Sequence, residues 1–202
     1  MLYTMIHDYR YYLAAYFDQN QINRLVGVLS DENRDKHIEL TCHPHTYKGV
    51  FEEPLRIAFQ PKDKTLKNCT MPDLGIMQGR LFLNQNAYDI LSPIIGADGE
   101  FLPAIYNSDK PAYIFNPLRV AEDVDGLDVS LSKEDEFGEV AHLAFHEEKL
   151  GNWSLFRAKF NYYHTLQCRD DIKKIIEDGG LTGLYFTPDL GRIFPGERGP
   201  SH

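Results

Sequence analysis

Two stretches of this sequence carry a similar pattern of apolar residues and proline at an offset of 85 positions, which is seen when residues 81–103 are laid over residues 166–188 without a gap. Each stretch predicts a short strand, an amphipathic helix, a glycine-containing break and a second strand. Chance agreement among common apolar residues and a true duplication both explain the match. Under either explanation, the chain contains two strand–helix–strand units. The matched pairs are Leu81 with Leu166, Leu83 with Cys168, Ala87 with Ile172, Ile90 with Ile175, Leu91 with Ile176, Phe101 with Phe186, and Pro103 with Pro188.

Polar residues and glycines predict where the two helices begin and end. In the first unit, Asn84 or Asn86 can cap the start of the helix, and Gly96 follows its end. In the second unit, Asp170 lies at the positive end of the helix dipole, and Gly179-Gly180 ends the apolar stripe.

Further strands are predicted on both sides of these units. Residues 112–120, 140–145 and 153–160 alternate or run apolar, which favours strands over helices. Residues 3–17 are rich in tyrosine and predict a strand pair or a helix, and residues 54–59 predict one more strand. The sequence therefore predicts an α+β fold with a mixed sheet that contains the two units.

The same reading divides the chain into three parts. Residues 1–70 are predicted to form a small N-terminal α/β subdomain, and residues 71–190 the main α+β domain. Residues 191–202 hold three glycines and two prolines and are predicted to be a loose tail.

Residues 121–148 concentrate the negative charge. They hold ten carboxylates and one lysine, a balance of −9 that equals the net charge of the whole chain. Because potentials add across a patch, this window should repel phosphate backbones and attract basic surfaces. The charge predicts a basic protein partner and no nucleic-acid partner, while a solvated segment that serves solubility is the alternative. The candidate partner-binding residues are Asp123, Asp125, Asp128, Glu134, Asp135, Glu136, Glu139 and the single tryptophan, Trp153, which could equally pack in the core.

Composition narrows the class of protein further. With 202 residues, of which 43% are apolar, the chain can bury a substantial core. No apolar run reaches the ~20 residues of a membrane span, and the first residues lack the apolar stretch of a secretory signal. Three widely spaced cysteines form no disulfide framework and suit a reducing compartment. We therefore expect a cytoplasmic protein with no membrane partner.

Motifs for metal binding and catalysis are incomplete. His142 and His146 lie four apart without the order of a zincin motif, and Cys42-His43-Pro44-His45 has no second ligand pair downstream. A calcium loop starting at Asp123 fails because Asp128 stands where glycine is required. No serine or cysteine lies in a nucleophile motif. The sequence predicts no catalytic residues, no metal and no cofactor.

A series of short motifs runs through the second part of the chain: Met71-Pro72-Asp73-Leu74, Arg80-Leu81-Phe82-Leu83, Glu100-Phe101-Leu102-Pro103, Ala112-Tyr113-Ile114-Phe115-Asn116, Gly126-Leu127-Asp128-Val129-Ser130 and the closing L-T-G-L-x-F-T-P of residues 181–188. In this order, the motifs resemble a family of bacterial polymorphic-toxin immunity proteins, formerly a domain of unknown function. The resemblance covers residues 71–190, and the closing motif is its most specific element.

The resemblance implies an antitoxin that is encoded beside a secreted antibacterial toxin, often one delivered by contact-dependent or type VI secretion. Such a protein takes part in interbacterial competition by binding the toxin in a stoichiometric complex, and it is not an enzyme. A cytoplasmic inhibitor should meet a toxin that acts in the cytoplasm, which favours a nuclease, and an acidic loop can imitate nucleic acid on a basic cleft. Two alternatives remain open, an enzyme of undefined hydrolytic chemistry and an interaction module of a regulatory complex.

Overall fold

The computed structural model describes residues 1–26, 42–138 and 140–191 of the chain. The described residues form an α+β fold with a six-stranded, a four-stranded and a two-stranded sheet, so the predicted fold class is confirmed. The helices are α1 (Gln19–Val26), α2 (Gln85–Ile95) and α3 (Asp170–Asp178), and short 3₁₀ helices cover Gly96–Asp98 and Ala121–Val124. The strands are β1 (Leu2–His7), β2 (Ala14–Phe17), β3 (Leu55–Gln60), β4 (Leu74–Met77), β5 (Arg80–Asn84), β6 (Gly99–Tyr106), β7 (Lys110–Pro117), β8 (Lys133–Glu134), β9 (Val140–His142), β10 (Leu155–Phe156), β11 (Leu166–Arg169) and β12 (Leu184–Thr187).

Both predicted strand–helix–strand units are present. The first is β5-α2-β6 and the second is β11-α3-β12. In each unit the two strands flank a third strand that runs antiparallel to both, which is β7 in the six-stranded sheet and β1 in the four-stranded sheet. The two units therefore share one topology, although the middle strand follows the first unit in the chain and precedes the second.

The strand register extends this equivalence to single residues. Leu81 and Phe101 both pair with Phe115, and their counterparts at the offset of 85, Leu166 and Phe186, both pair with Met5. The register of the two sheets thus follows the sequence offset without a shift. Of the two explanations for the repeat, this agreement favours a duplicated structure over chance.

The helices of the two units make corresponding contacts with their middle strands. On α2, the ring of Tyr88 stacks on Tyr113 with centroids 3.6 Å apart. On α3, Lys173 is the counterpart of Tyr88, and its Nζ lies 5.3 Å from the ring centroid of Tyr3. Each helix therefore places the side chain from the same repeat position over a tyrosine of the middle strand.

The helix ends follow the predicted signals. Asn84 caps α2 because its Oδ1 accepts a hydrogen bond from the amide of Ala87 at 2.9 Å, and Gly96 follows the last helical residue. In the second unit, α3 begins at Asp170, and Gly180 has a φ of +62°, which glycine adopts at little cost.

One hydrophobic core joins the two units. It contains the inward faces of α2 and α3 and of strands from both large sheets, and all of the matched apolar pairs except the prolines belong to it or pack against it. Its buried members are Met5, Leu74, Leu81, Leu83, Ala87, Leu91, Ile95, Phe115, Leu155, Leu166, Cys168, Ile172, Ile176 and Leu181. A second cluster lies on the opposite face of the six-stranded sheet, where Phe82 and Ile114 meet Ile22 of α1 and Tyr47.

The sheet pairing does not set residues 1–70 apart as the predicted N-terminal subdomain. Strand β1 lies between β11 and β12, and β3 pairs in parallel with β6. The strands of residues 1–60 are thus built into the sheets of residues 71–190, and β1 and β3 satisfy their backbone groups by pairing along both edges. A sequence reading has no local signal for such long-range pairing.

The other predicted strands are confirmed in part. Residues 3–17 form strands rather than a helix, but β1 and β2 pair in different sheets. Residues 54–59 and 112–120 correspond to β3 and β7, whereas the strands at 140–145 and 153–160 shrink to β9 and β10. The second of these ends at Phe156, after which Arg157 forms an isolated bridge with Val120 and the amides of Lys159 and Phe160 donate to the Glu122 carboxylate. The predicted loose tail comprises residues 191–202, of which residues 192–202 lie outside the described residues.

Among the helices that the structure describes, none is long and apolar enough to cross a membrane.

A candidate partner-binding hairpin

The negative window contains a small two-stranded sheet, which we call the acidic hairpin (residues 128–138 and 140–142). Strands β8 and β9 pair antiparallel and are joined by a turn at residues 135–138. The hairpin is anchored at its base, where Leu127 bridges to Phe145 and the amide of Asp128 donates to the carbonyl oxygen of Ala144 at 2.9 Å. The base is therefore continuous with the packed body of the protein.

Asp128 supports this base rather than presenting its charge to solvent. Its Oδ1 accepts hydrogen bonds from the Ser130 hydroxyl at 2.6 Å, the Ser130 amide at 3.0 Å and the Leu131 amide at 3.2 Å. These bonds favour the ionised form and lower the pKa of Asp128, and His146, whose Nε2 lies 4.0 Å away, adds to the effect. Asp128, which was predicted to bind the partner, therefore stabilises the turn formed by the residues that follow it, Ser130 and Leu131.

The other predicted carboxylates fall into two groups. Glu134, Asp135 and Glu136 are exposed on the acidic hairpin, whereas Asp123 and Asp125 are exposed on the preceding 3₁₀ turn. The prediction for Glu139 lies outside the described residues. The structure therefore brings three of the predicted acids together at the end of one hairpin.

Large apolar side chains are exposed on the same hairpin. Val129, Leu131 and Phe137 are 74%, 56% and 82% exposed, and they account for three of the six exposed large hydrophobic residues in the described part of the chain. A segment that serves solubility alone has no reason to expose such side chains, whereas a protein interface needs them at its centre. Sequence reasoning missed these residues, since nothing in their spacing separates an exposed valine, leucine or phenylalanine from a buried one.

Trp153 packs against a third hydrophobic cluster, whose buried members are Leu2, Ala121, Leu150 and Phe156. Its ring is half-buried against the third hydrophobic cluster, 6.4 Å from the ring of Phe156, and the guanidinium carbon of Arg119 lies 5.4 Å from its centroid. The backbone carbonyl of Trp153 also accepts a hydrogen bond from Arg169 Nε at 2.8 Å. These contacts place Trp153 in the packed body, which agrees with the second of its two predicted roles.

Two completely buried arginines form a separate polar cluster. Arg157 donates from Nη1 to the carbonyl oxygen of Cys42 at 2.7 Å and from Nη2 to Oδ1 of Asn116 at 3.3 Å, and Nη2 also donates to the carbonyl of Pro117. Burial and the charge of Arg80 lower the pKa of Arg157 to about 9, so the guanidinium remains charged at neutral pH. Its charge is balanced by carbonyl dipoles, which indicates a structural role.

Arg80 completes this cluster. It donates from Nη2 to the hydroxyl of Tyr47 at 2.8 Å, and the amide of Tyr47 donates to Glu100 Oε1 at 2.7 Å. Glu100 also accepts from Asn116 Nδ2 at 2.9 Å, so one carboxylate serves the network that surrounds both arginines. These hydrogen bonds hold the segment around Tyr47 against the six-stranded sheet.

The motif at residues 42–45 lies beside this cluster. Cys42 Sγ is 3.5 Å from Nδ1 of His164, a contact that the sequence did not suggest because the residues lie 122 positions apart. Burial raises the pKa of the Cys42 thiol despite the nearby arginines, so the group is held as a thiol rather than an activated thiolate. In the described part of the chain, no three histidine, cysteine or acidic side chains are placed to hold a metal ion.

Fold and site together define an α+β protein whose outstanding surface feature is an acidic hairpin with exposed apolar side chains. No protein-family model matches the chain, and no curated protein matches it. The resemblance to immunity proteins stays a prediction.

Proposed function

We propose that this protein is an immunity protein that neutralises a cognate antibacterial toxin by forming a stoichiometric complex through the acidic hairpin. The observation that carries the proposal is that one anchored hairpin exposes both apolar and acidic side chains, namely Val129, Leu131, Phe137, Glu134 and Glu136. The resemblance of residues 71–190 to toxin-immunity proteins supplies the biological class.

The two kinds of side chain contribute to different steps of binding. Exposed carboxylates raise the association rate with a basic partner, by up to a few orders of magnitude at low salt. Apolar side chains that become buried in the complex slow its dissociation. An inhibitor that must engage its toxin before the toxin acts needs both properties.

The charge also favours one class of toxin. Enzymes that bind nucleic acid carry basic clefts, because phosphate binding depends on lysine and arginine. A strongly acidic hairpin is complementary to such a cleft. We therefore propose a cytoplasm-acting nuclease as the cognate toxin and the cytoplasm as the compartment in which the two proteins meet.

Coexpression with the toxin encoded by the adjacent reading frame tests the proposal. Cells that carry both genes should survive toxin induction, and purified toxin and immunity protein should form a 1:1 complex in calorimetric titration. Cells that die equally fast with and without this protein would rule the proposal out.

Titrating the protein level separates an inhibitor from an enzyme that removes the toxin's product. A stoichiometric inhibitor protects only when its copy number reaches that of the toxin, whereas an enzyme protects far below that ratio. Protection at a few per cent of the toxin level would contradict the proposed mechanism.

A further inference from the structure

A pocket of about 400 Å³ is lined by residues of two segments, 47–51 and 100–103. The second segment belongs to β6. Among the strands that the structure describes, only β7 pairs with residues 100–103, because the pairing of β3 with β6 begins at Ala104. The pocket therefore adjoins a stretch of the six-stranded sheet that has one strand neighbour, and its volume is within the usual range of small-molecule sites.

Apolar residues predominate in the lining of this pocket. Phe51 and Leu102 belong to the hydrophobic cluster that contains Tyr47 or pack against it, and Phe101 packs against the core shared by the two units. The rings of Tyr47 and Phe51 stack with their centroids 5.6 Å apart. Because these contacts hold the walls in place, the pocket exists before any ligand binds, and it offers apolar surface to one.

The charged residues of the lining are Lys48 and Glu100, and they differ in how far they are already engaged. One carboxylate oxygen of Glu100 accepts hydrogen bonds from the amide of Tyr47 at 2.7 Å and from Asn116 Nδ2 at 2.9 Å. The other oxygen accepts from the hydroxyl of Thr46 at 2.8 Å. Lys48 is exposed and makes no ion pair with a described carboxylate. The Lys48 ammonium group is therefore available to a ligand.

Buried cations next to the lining reinforce the positive charge of the pocket. Arg80 donates from Nη2 to the hydroxyl of Tyr47 at 2.8 Å, and both Arg80 and Arg157 are completely buried. Among the described residues, the hydrogen-bond network around the two arginines contains one carboxylate, that of Glu100. Charges inside a protein are screened much less than surface charges, so the excess guanidinium charge favours an anion in the adjoining pocket.

We infer that this pocket binds a small molecule with an apolar body and one carboxylate. The carboxylate pairs with the ammonium group of Lys48, and the apolar body lies against Phe51 and Leu102. The inference does not depend on the proposed function, because the pocket and the acidic hairpin share no residue.

Two fluorescent probes that differ only in charge test the inference. 8-Anilinonaphthalene-1-sulfonate carries a sulfonate that stands in for the carboxylate, and N-phenyl-1-naphthylamine has the same rings without it. Fluorescence titration of the full chain should show that the anionic probe binds about tenfold more tightly. Lys48→Gln should weaken binding of the anionic probe roughly fivefold and leave that of the neutral probe unchanged, whereas Phe51→Ala should weaken both.

Lys62→Gln and Phe137→Ala are the matched controls, and both should bind the two probes like the wild type. Lys62 is an exposed lysine outside the pocket, and Phe137 is an exposed ring on the acidic hairpin. Equal affinity of the wild type for the two probes, or an unchanged affinity of Lys48→Gln for the anionic probe, would overturn the inference. Loss of binding in Phe137→Ala would also overturn it, because the probes would then lie on the hairpin. Circular dichroism checks the fold of each variant, and the exposed position of Lys48 keeps its variant informative if Phe51→Ala does not fold.

Discussion

Nη1 of Arg157 donates a hydrogen bond of 2.7 Å to the carbonyl oxygen of Cys42, a residue 115 positions earlier in the chain. The same guanidinium reaches Asn116 and Pro117 on the six-stranded sheet. One fully buried cation thereby connects three segments that are distant in sequence. Its acceptors are carbonyl and amide oxygens, which a guanidinium can satisfy because its donors form a planar fork.

Replacing Arg157 by lysine should lower the free energy of unfolding by about 2–4 kcal/mol, because an ammonium group keeps the buried charge but cannot reach all of these acceptors. Urea denaturation followed by circular dichroism measures the change. The control is Arg56→Lys, since Arg56 is exposed and its ion pair with Asp109 lies on the surface. That variant should stay within about 0.5 kcal/mol of the wild type, and equal effects of the two substitutions would contradict the role assigned to Arg157.

Reversing the charge of Glu134 and Glu136 to lysine should slow association with the toxin by roughly tenfold at low salt and flatten its salt dependence. Surface plasmon resonance at low and high salt measures both rates. Glu52→Lys is the control, because Glu52 is exposed and lies outside the hairpin. An association rate that is unchanged by the double reversal would confine the acidic hairpin to a role in solubility. Asp128 is left intact in this test since its carboxylate braces the hairpin base.

The stability of the protein should fall as the pH drops below about 6.5, the ordinary pKa of histidine. Burial lowers the pKa of His7, while Asp8 and the backbone of Tyr12 and Leu13 partly oppose the shift. The unfolded chain therefore binds a proton at a higher pH than the folded protein does. The contribution of His7 is fully present above pH 6.5 and is lost as the pH falls towards its lowered native pKa, by at most ~1.4 kcal/mol per pH unit.

Urea unfolding between pH 5 and 7.5 measures this dependence. His7→Phe should flatten the curve in that window, whereas His43→Phe should leave it unchanged because His43 is exposed. A wild-type curve with the same slope as that of His7→Phe would show that another group controls the acid sensitivity.

Thiol labelling should distinguish the three cysteines. Cys168 is completely buried in the shared core, and burial strongly raises the pKa of its thiol, whereas Cys42 and Cys69 are partly exposed. Ellman's reagent should therefore modify two thiols in the folded protein and the third only after unfolding. Mass spectrometry of the labelled peptides identifies the sites, and rapid modification of Cys168 in the native protein would contradict its place in the core.

The sequence alone determined the local elements of this fold. The offset of 85 residues marked both strand–helix–strand units, and the capping residue Asn84 marked the start of α2. These features depend on residues that are close together in the chain, where apolar spacing and capping report directly on local conformation. The position of the negative charge at residues 121–148 could be predicted in the same way, because carboxylates that are adjacent in sequence remain close in space.

The tertiary structure decided which strands pair, which polar side chains form hydrogen bonds within the protein and which apolar side chains remain exposed. Strand β1 completes the second unit although it lies more than 150 residues away from β11, and the register places Met5 where Phe115 lies in the first unit. The fold also commits Asp128 to the hairpin base and leaves Phe137 exposed. Sequence cannot separate such cases, because hydrogen-bond partners and solvent exposure depend on contacts between distant segments, and only the folded chain brings those segments together.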